Sequence, residues 1–125
     1  MKQHAIIGMT LAVFDMPRMI EFYTEVFDTT FTSQKLGEAV IYTGEWAGLP
    51  VLFSPAALAD ITAEQNRHQF EVLVPDLNYV LVQTVKYGGD MFGEISEDLR
   101  FRSIAITDPD RNTIVIKELK STENL

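Results

Sequence analysis

Gln69 and Glu71 are the residues whose types and spacing come nearest to chemistry. Two positions apart on an extended segment, their side chains share one face of a strand. Buried in an apolar cleft, the Glu71 carboxyl would have its pKa raised and act as a general base, which makes it the candidate catalytic residue. The same carboxylate could equally pair with Lys117 or Arg102 and simply be satisfied. Thr10 on an equivalent strand, and Thr113 and Lys117 on the last strand, bring further polar groups to the same kind of face. Other chemistries are poorly served. The chain has no cysteine, which removes disulfides, thiolate metal sites and a cysteine nucleophile. No nucleophile–base pair, phosphate-binding loop or carboxylate dyad stands out. His4 and His68 read as exposed strand ends.

The elements that must position these residues come in two copies. A shift of 61 residues carries Gly8 onto Gln69, Val13 onto Val74, Asp15 onto Asp76 and Phe31 onto Phe92. Each copy opens with an alternating strand, then an Asp, an amphipathic helix and a turn. In the second copy Phe70, Val72 and Val74 share one face, with Gln69, Glu71 and Leu73 on the other. In the first copy Met9, Leu11 and Val13 take the first face, with Gly8, Thr10 and Ala12 opposite. Asp15 and Asp76 stand where a helix N-cap stands, each able to accept from free N–H groups of the first turn. The repeat implies a pseudo-symmetric α+β domain over 1–125, with module one at about 4–55, a connector at 56–67 and module two at about 68–120. A ligand site is expected in a cleft between the modules, on the sheet faces that the helices leave uncovered.

The first strand spans residues 5–14, and the spacing predicts a helix over 16–27 with Pro17 in its first turn. Met16, Ile20, Tyr23 and Phe27 recur at helical spacing and are assigned to its core face. Strands are expected at about 30–36, 38–43 and 49–54, with a tight turn at Leu36-Gly37-Glu38 and a looser loop at 44–48 carrying Trp46. The connector should hold a short helical piece near Asp60. A second helix is predicted over 77–87, stopped by Gly88-Gly89, and strands follow near 90–96, 100–107 and 113–119. Asp108-Pro109-Asp110-Arg111-Asn112 has proline set for a tight turn and carboxylates to accept from its backbone.

Composition narrows the classes. At 125 residues with 46% hydrophobic content the chain is long enough to bury a core. A net charge of −8, with its ten Lys and Arg scattered, argues against a nucleic-acid binder. The apolar run 5–14 is interrupted by Thr10 and ended by Asp15, so it reads as a strand and not as a signal peptide. Nothing approaches the roughly 20 apolar residues of a membrane span. The expectation is a cytoplasmic protein with neither nucleic-acid nor membrane partners.

Two βαβββ modules resemble the vicinal oxygen chelate superfamily, which includes glyoxalase I, extradiol dioxygenases, fosfomycin-resistance enzymes and bleomycin-resistance binding proteins. Asp15 with Phe22-Tyr23-Thr24-Glu25-Val26-Phe27 is similar to that family's helix-one motif. The 108–112 segment is similar to its DPDGN hairpin, with Arg111 in place of glycine, and Arg102 falls where the family often carries arginine. The resemblance spans about residues 5–119 and implies a divalent metal held by side chains, His, Gln or Glu, from the first and last strands of each module. Counting seven back from Asp15 gives Gly8, and seven back from Asp76 gives Gln69. Seven on from Asp108 stands Val115, and the matching strand of module one offers Leu52. Only Gln69 brings a donor atom, and a lone neutral amide does not hold a cation that needs several N or O ligands with charge among them. No metal or other cofactor is therefore expected.

The resemblance then leaves two classes of function. One is a metal-free protein that captures a small molecule, as the bleomycin-resistance proteins do, with Gln69, Glu71, Thr10, Trp46 and Arg102 as ligand-binding candidates. In it, Glu71 would favour a cationic or hydrogen-bond-donating ligand. The other is a metal-dependent lyase, isomerase or dioxygenase of the glyoxalase type. Tyr42, Phe53 and Phe101 join Trp46 as candidate walls of the cleft. The family likeness also implies a homodimer, in which a partner covers open sheet edges.

Overall fold

Asp15 starts the first helix as its position predicts: its Oδ1 accepts from the N–H of Arg18 at 3.3 Å. In the computed structural model, which describes residues 6–59 and 69–120, helix α1 runs Met16–Phe27. It ends at Asp28 in the left-handed conformation (φ 55°), whose N–H donates to the Tyr23 carbonyl. The buried face is Met19, Phe22, Tyr23 and Val26, with Met16, Ile20 and Phe27 flanking it half-buried. This rotates the expected stripe by about one position, because the i, i+3, i+4, i+7 set centred on Tyr23 meets the sheet's aromatic residues squarely. His4, His68 and the helical piece expected near Asp60 lie outside the described residues.

The described residues form two compact units, one on each side of residues 60–68. In the first unit β1 (Met9–Val13), β2 (Thr32–Leu36), β3 (Ala39–Trp46) and β4 (Leu49–Pro55) make a four-stranded sheet of order β1-β4-β3-β2. Strand β1 runs parallel to β4, and the other pairs are antiparallel. A short helix α2 (Ala56–Ala59) follows. Cross-strand register places Leu11 beside Phe53 and Phe53 beside Tyr42. Tyr23 of α1 meets Phe53 edge-on at 5.2 Å and Trp46 at 5.1 Å. Met9, Leu11 and Val13 therefore lie on the helix side of the sheet, as the alternation predicts.

One segment departs from expectation. Residues 44–46 are not loop: β3 continues through Trp46 and turns at Ala47 and Gly48, both at positive φ (50° and 86°). That two-residue turn has the twist that antiparallel strands favour. The strand can continue because Gly44 has no side chain where the Thr30 carbonyl crosses it; an added Cβ would sit 2.7 Å from that oxygen.

The second unit repeats the first. Strands β5 (Phe70–Leu73), β6 (Asp90–Glu97), β7 (Phe101–Thr107) and β8 (Thr113–Leu119) form a sheet of order β5-β8-β7-β6, with β5 parallel to β8. Helix α3 (Leu77–Lys86) is capped by Asp76, which accepts from the Tyr79 N–H at 3.1 Å. It lays Leu77, Val80, Leu81 and Thr84 over a face built from Val72, Ile104, Ile106, Ile114 and Ile116. The 108–112 turn closes on itself. Buried Asp108 accepts from the N–H groups of Asp110 and Asn112 at 3.0 and 2.9 Å, and from the Asn112 side chain at 2.9 Å. Arg111 takes φ 70° there, a strain offset by its own N–H bond to the Asp108 carbonyl.

Candidate functional site

Each sheet has one face covered by its helix and one left open, and the alternation of the first strand decides what the open face carries. In the first unit Thr10, Leu52 and Thr43 stand side by side across β1, β4 and β3. With Gly8 they line a groove of 460 Å³. Gly8 keeps it shallow and clear: a Cβ there would meet nothing nearer than the Pro50 carbonyl at 3.5 Å. The groove offers two hydroxyls and aliphatic surface, and its lining brings no carboxylate or imidazole.

In the second unit Glu71, Val115, Ala105 and Phe92 form the corresponding row across β5, β8, β7 and β6. Lys117 sits one step further along β8, beside Leu73 and Ser103. Its Nζ lies 2.7 Å from Glu71 Oε1 and 5.2 Å from the centre of the Phe101 ring. Glu71 is thus ion-paired, and its side chain is 63% exposed, so the burial that a base role would require is not there. Gln69 precedes β5 on the same face and is exposed. Thr113 lies on that face too, half-buried and opposite Thr107.

Arg102 and Trp46 are placed elsewhere than expected. Arg102 shares the helix side with Ile104 and Ile106, and its Nη1 meets Glu118 Oε1 at 3.3 Å. The other oxygen of Glu118 accepts from the N–H of Leu77 at 2.8 Å. That carboxylate therefore satisfies the start of α3, where a negative charge also opposes the helix dipole. Arg102 is a positioning group for a helix cap and not part of the open face. Glu118 stands three residues beyond Val115, an odd shift that turns it to the opposite face, so it does not supply the donor that Val115 lacks. Trp46 is 4% exposed and packs on Tyr23 and Phe27. Phe53 is fully buried and Tyr42 shares its face. Of the four aromatic wall candidates, Phe101 alone reaches an open face.

To the residues singled out from the sequence the structure adds Arg100 and Leu119. Glu71, Leu73, Arg100, Phe101, Lys117 and Leu119 line a depression of 340 Å³ at the end of β8. Its rim is set by Asp98, whose Oδ1 accepts from the N–H groups of Arg100 and Phe101 at 2.8 and 2.7 Å. These two bonds, Phe101's first, hold the Asp98 carboxyl below its ordinary range. The pattern Asp98-Leu99-Arg100-Phe101 is a turn signal that could have marked the hairpin. What it could not mark is that Arg100 and Lys117 approach the same ring, since one lies in the β6–β7 turn and the other on β8.

No protein-family model matches the chain, and no curated protein matches it. Solved structures do. The fosfomycin resistance protein FosX from Listeria monocytogenes, hexagonal form, is similar over 99% of this chain and 100% of its own, with TM-score 0.75 and 16% identity. FosX from Mesorhizobium loti is 19% identical over 98% of both chains, with TM-score 0.70. A glyoxalase/bleomycin resistance protein/dioxygenase family enzyme from Burkholderia phytofirmans PsJN is 15% identical, covering 92% of this chain and 99% of its own, with TM-score 0.70. The fold is that of the glyoxalase/bleomycin-resistance proteins, the α+β architecture that the motifs led us to expect. No helix among the described residues is long and apolar enough to cross a membrane.

Proposed function

We propose that this protein binds a small molecule on its open sheet faces and uses no catalytic metal there. One observation carries the reading: the residues at the positions where the resemblance calls for metal donors are Gly8, Leu52 and Val115, with Gln69 as the single exception. The neighbouring carboxylates do not make good the loss. Glu118 is turned to the helix side, and Glu71 is engaged by Lys117. Among the described residues no three His, Asp or Glu side chains converge as a metal site would need. A divalent ion requires several N or O donors with anionic charge among them, so this donor set does not fit one. What the open faces do offer is aliphatic and hydroxyl surface in shallow grooves, which suits capture of a small organic molecule more than polarisation of its oxygens.

The test is elemental analysis after the purified full chain is equilibrated with Ni, Zn, Mn and Fe salts and then dialysed. The expected content is far below one metal per chain. A stoichiometric metal, or chelator-sensitive turnover of a methylglyoxal–thiol adduct, would instead make this a glyoxalase-type enzyme.

A homodimer is the second part of the proposal. All eight residues of the edge strand β6 are exposed, Met91 and Phe92 among them, and an exposed apolar edge invites a partner strand. Light scattering at micromolar concentration should return twice the chain mass; a monomer mass there would count against it.

A further inference from the structure

We propose that the 340 Å³ depression on the second sheet is a site for a small organic anion, one whose carboxylate meets Arg100 and whose apolar body lies against Leu73, Leu119 and the edge of Phe101. This rests on the small-molecule reading above and names its ligand class.

Three observations lead to it. First, the lining holds two cations, Arg100 and Lys117, and one carboxylate, Glu71, with the Asp98 carboxylate at the rim, in a chain whose net charge is −8. Second, the charges are not equally available. Lys117 and Glu71 are joined at 2.7 Å, whereas no carboxylate among the described residues forms an ion pair with the Arg100 guanidinium. Asp98 keeps its charge but turns its Oδ1 to two backbone N–H groups and forms no ion pair with Arg100, and Glu97 lies 3.7 Å from Lys120. Third, both cations lie against one aromatic ring. The Arg100 guanidinium carbon is 5.3 Å from the Phe101 ring centre and the Lys117 amine 5.2 Å, both within cation–π range.

A guanidinium resting on a ring keeps its outward N–H donors free, and those donors match a carboxylate in a two-point contact. Leu73, Leu119 and the Phe101 ring then supply the apolar floor. The volume lies at the low end of the roughly 300–1,000 Å³ of ligand pockets, which limits the body to a ring or two. The arrangement reverses the preference that Glu71 would have on its own. With Lys117 neutralising it, Glu71 no longer selects a cation, and Arg100 sets the sign.

The test uses the full chain and three probes with one body: 1-naphthoate, 1-naphthylmethylammonium and 1-naphthalenemethanol, followed by NMR shift perturbation and titration. Naphthoate is expected to bind best and to move signals of Phe101, Lys117 and Leu119. Arg100→Gln should weaken it about tenfold, the loss of one charge-assisted contact. Glu71→Gln, which releases Lys117, should tighten naphthoate several-fold by the same logic. Lys35→Gln, an exposed charge on β2, should change nothing. Preference for the ammonium or the alcohol, naphthoate bound in the Gly8–Leu52 groove, or indifference to Arg100→Gln would each overturn the anion site while leaving small-molecule binding intact. Failure of all three probes to bind anywhere would remove both.

Discussion

Phe53→Ala should cost the first unit about 3–5 kcal/mol, the usual penalty for emptying a buried aromatic site. Phe53 is fully buried, with its ring 5.2 Å from Tyr23 and 4.8 Å from Phe31. Through Tyr23 it belongs to an aromatic cluster that includes Phe22, Phe27 and Trp46. Removing it leaves a cavity between α1 and the sheet that rigid neighbours close only in part. Trp46, the one tryptophan of the chain, sits in that cluster, so its fluorescence reports this unit in a denaturant titration. The midpoint should fall sharply with the slope unchanged, the signature of lost stability. Phe101→Ala is the contrast, since it removes a half-buried ring and should lower the midpoint far less. A loss under about 1 kcal/mol at Phe53 would return it to the role of a ligand wall, where truncation affects binding more than stability.

Gly44→Ala is the second large effect, expected at about 1–3 kcal/mol from overpacking alone. The added carbon would stand 2.7 Å from the Thr30 carbonyl oxygen and 3.2 Å from both Phe31 and Thr29 side-chain atoms. The nearest of these is backbone and has no rotamer to escape into. The segment is held on its other side as well: the Thr29 N–H donates to the Tyr23 carbonyl at 3.1 Å, and Thr29 is 1% exposed. Either the chain leaving α1 lifts off β3 or the strand bends. Gly8→Ala is the matched control, because its new carbon meets only the Pro50 carbonyl at 3.5 Å, an ordinary contact. Equal stability of the two variants, read again from Trp46, would show that the crossing at Gly44 yields more easily than its geometry implies.

The open depression and the buried cluster respond to opposite experiments for one reason. Aromatic residues of similar sequence context were divided between core and surface by strand alternation, and on a strand apolar on both faces only the register decides which face meets the helix. Phe53 and Phe101 both sit on strands rich in apolar residues, yet one faces a helix and the other solvent.

Local and periodic features were determined by the sequence itself. The two Asp caps, the span of α1, the 108–112 turn and the repeat of strand, helix and three strands all rest on interactions within a few residues or on a period of two. The face assignment of β1 followed from the same alternation, and with it the placing of Gly8 and Thr10 on the open side. Tertiary structure decided whatever needs two distant segments to meet. Trp46 became core because Tyr23 lies over it, and β3 ran on through residue 44 because glycine there leaves room for the Thr30 carbonyl that crosses it. On the helix side Arg102 meets Glu118, whose second oxygen accepts from the Leu77 N–H. The sequence left Glu71 open to pairing with Lys117 or Arg102, and only pairing across β5, β8 and β7 chose Lys117 and brought it to the ring that Arg100 shares. Charge and type are written along the chain, but which charges cancel depends on separations of a few ångströms between strands, and these exist only after folding.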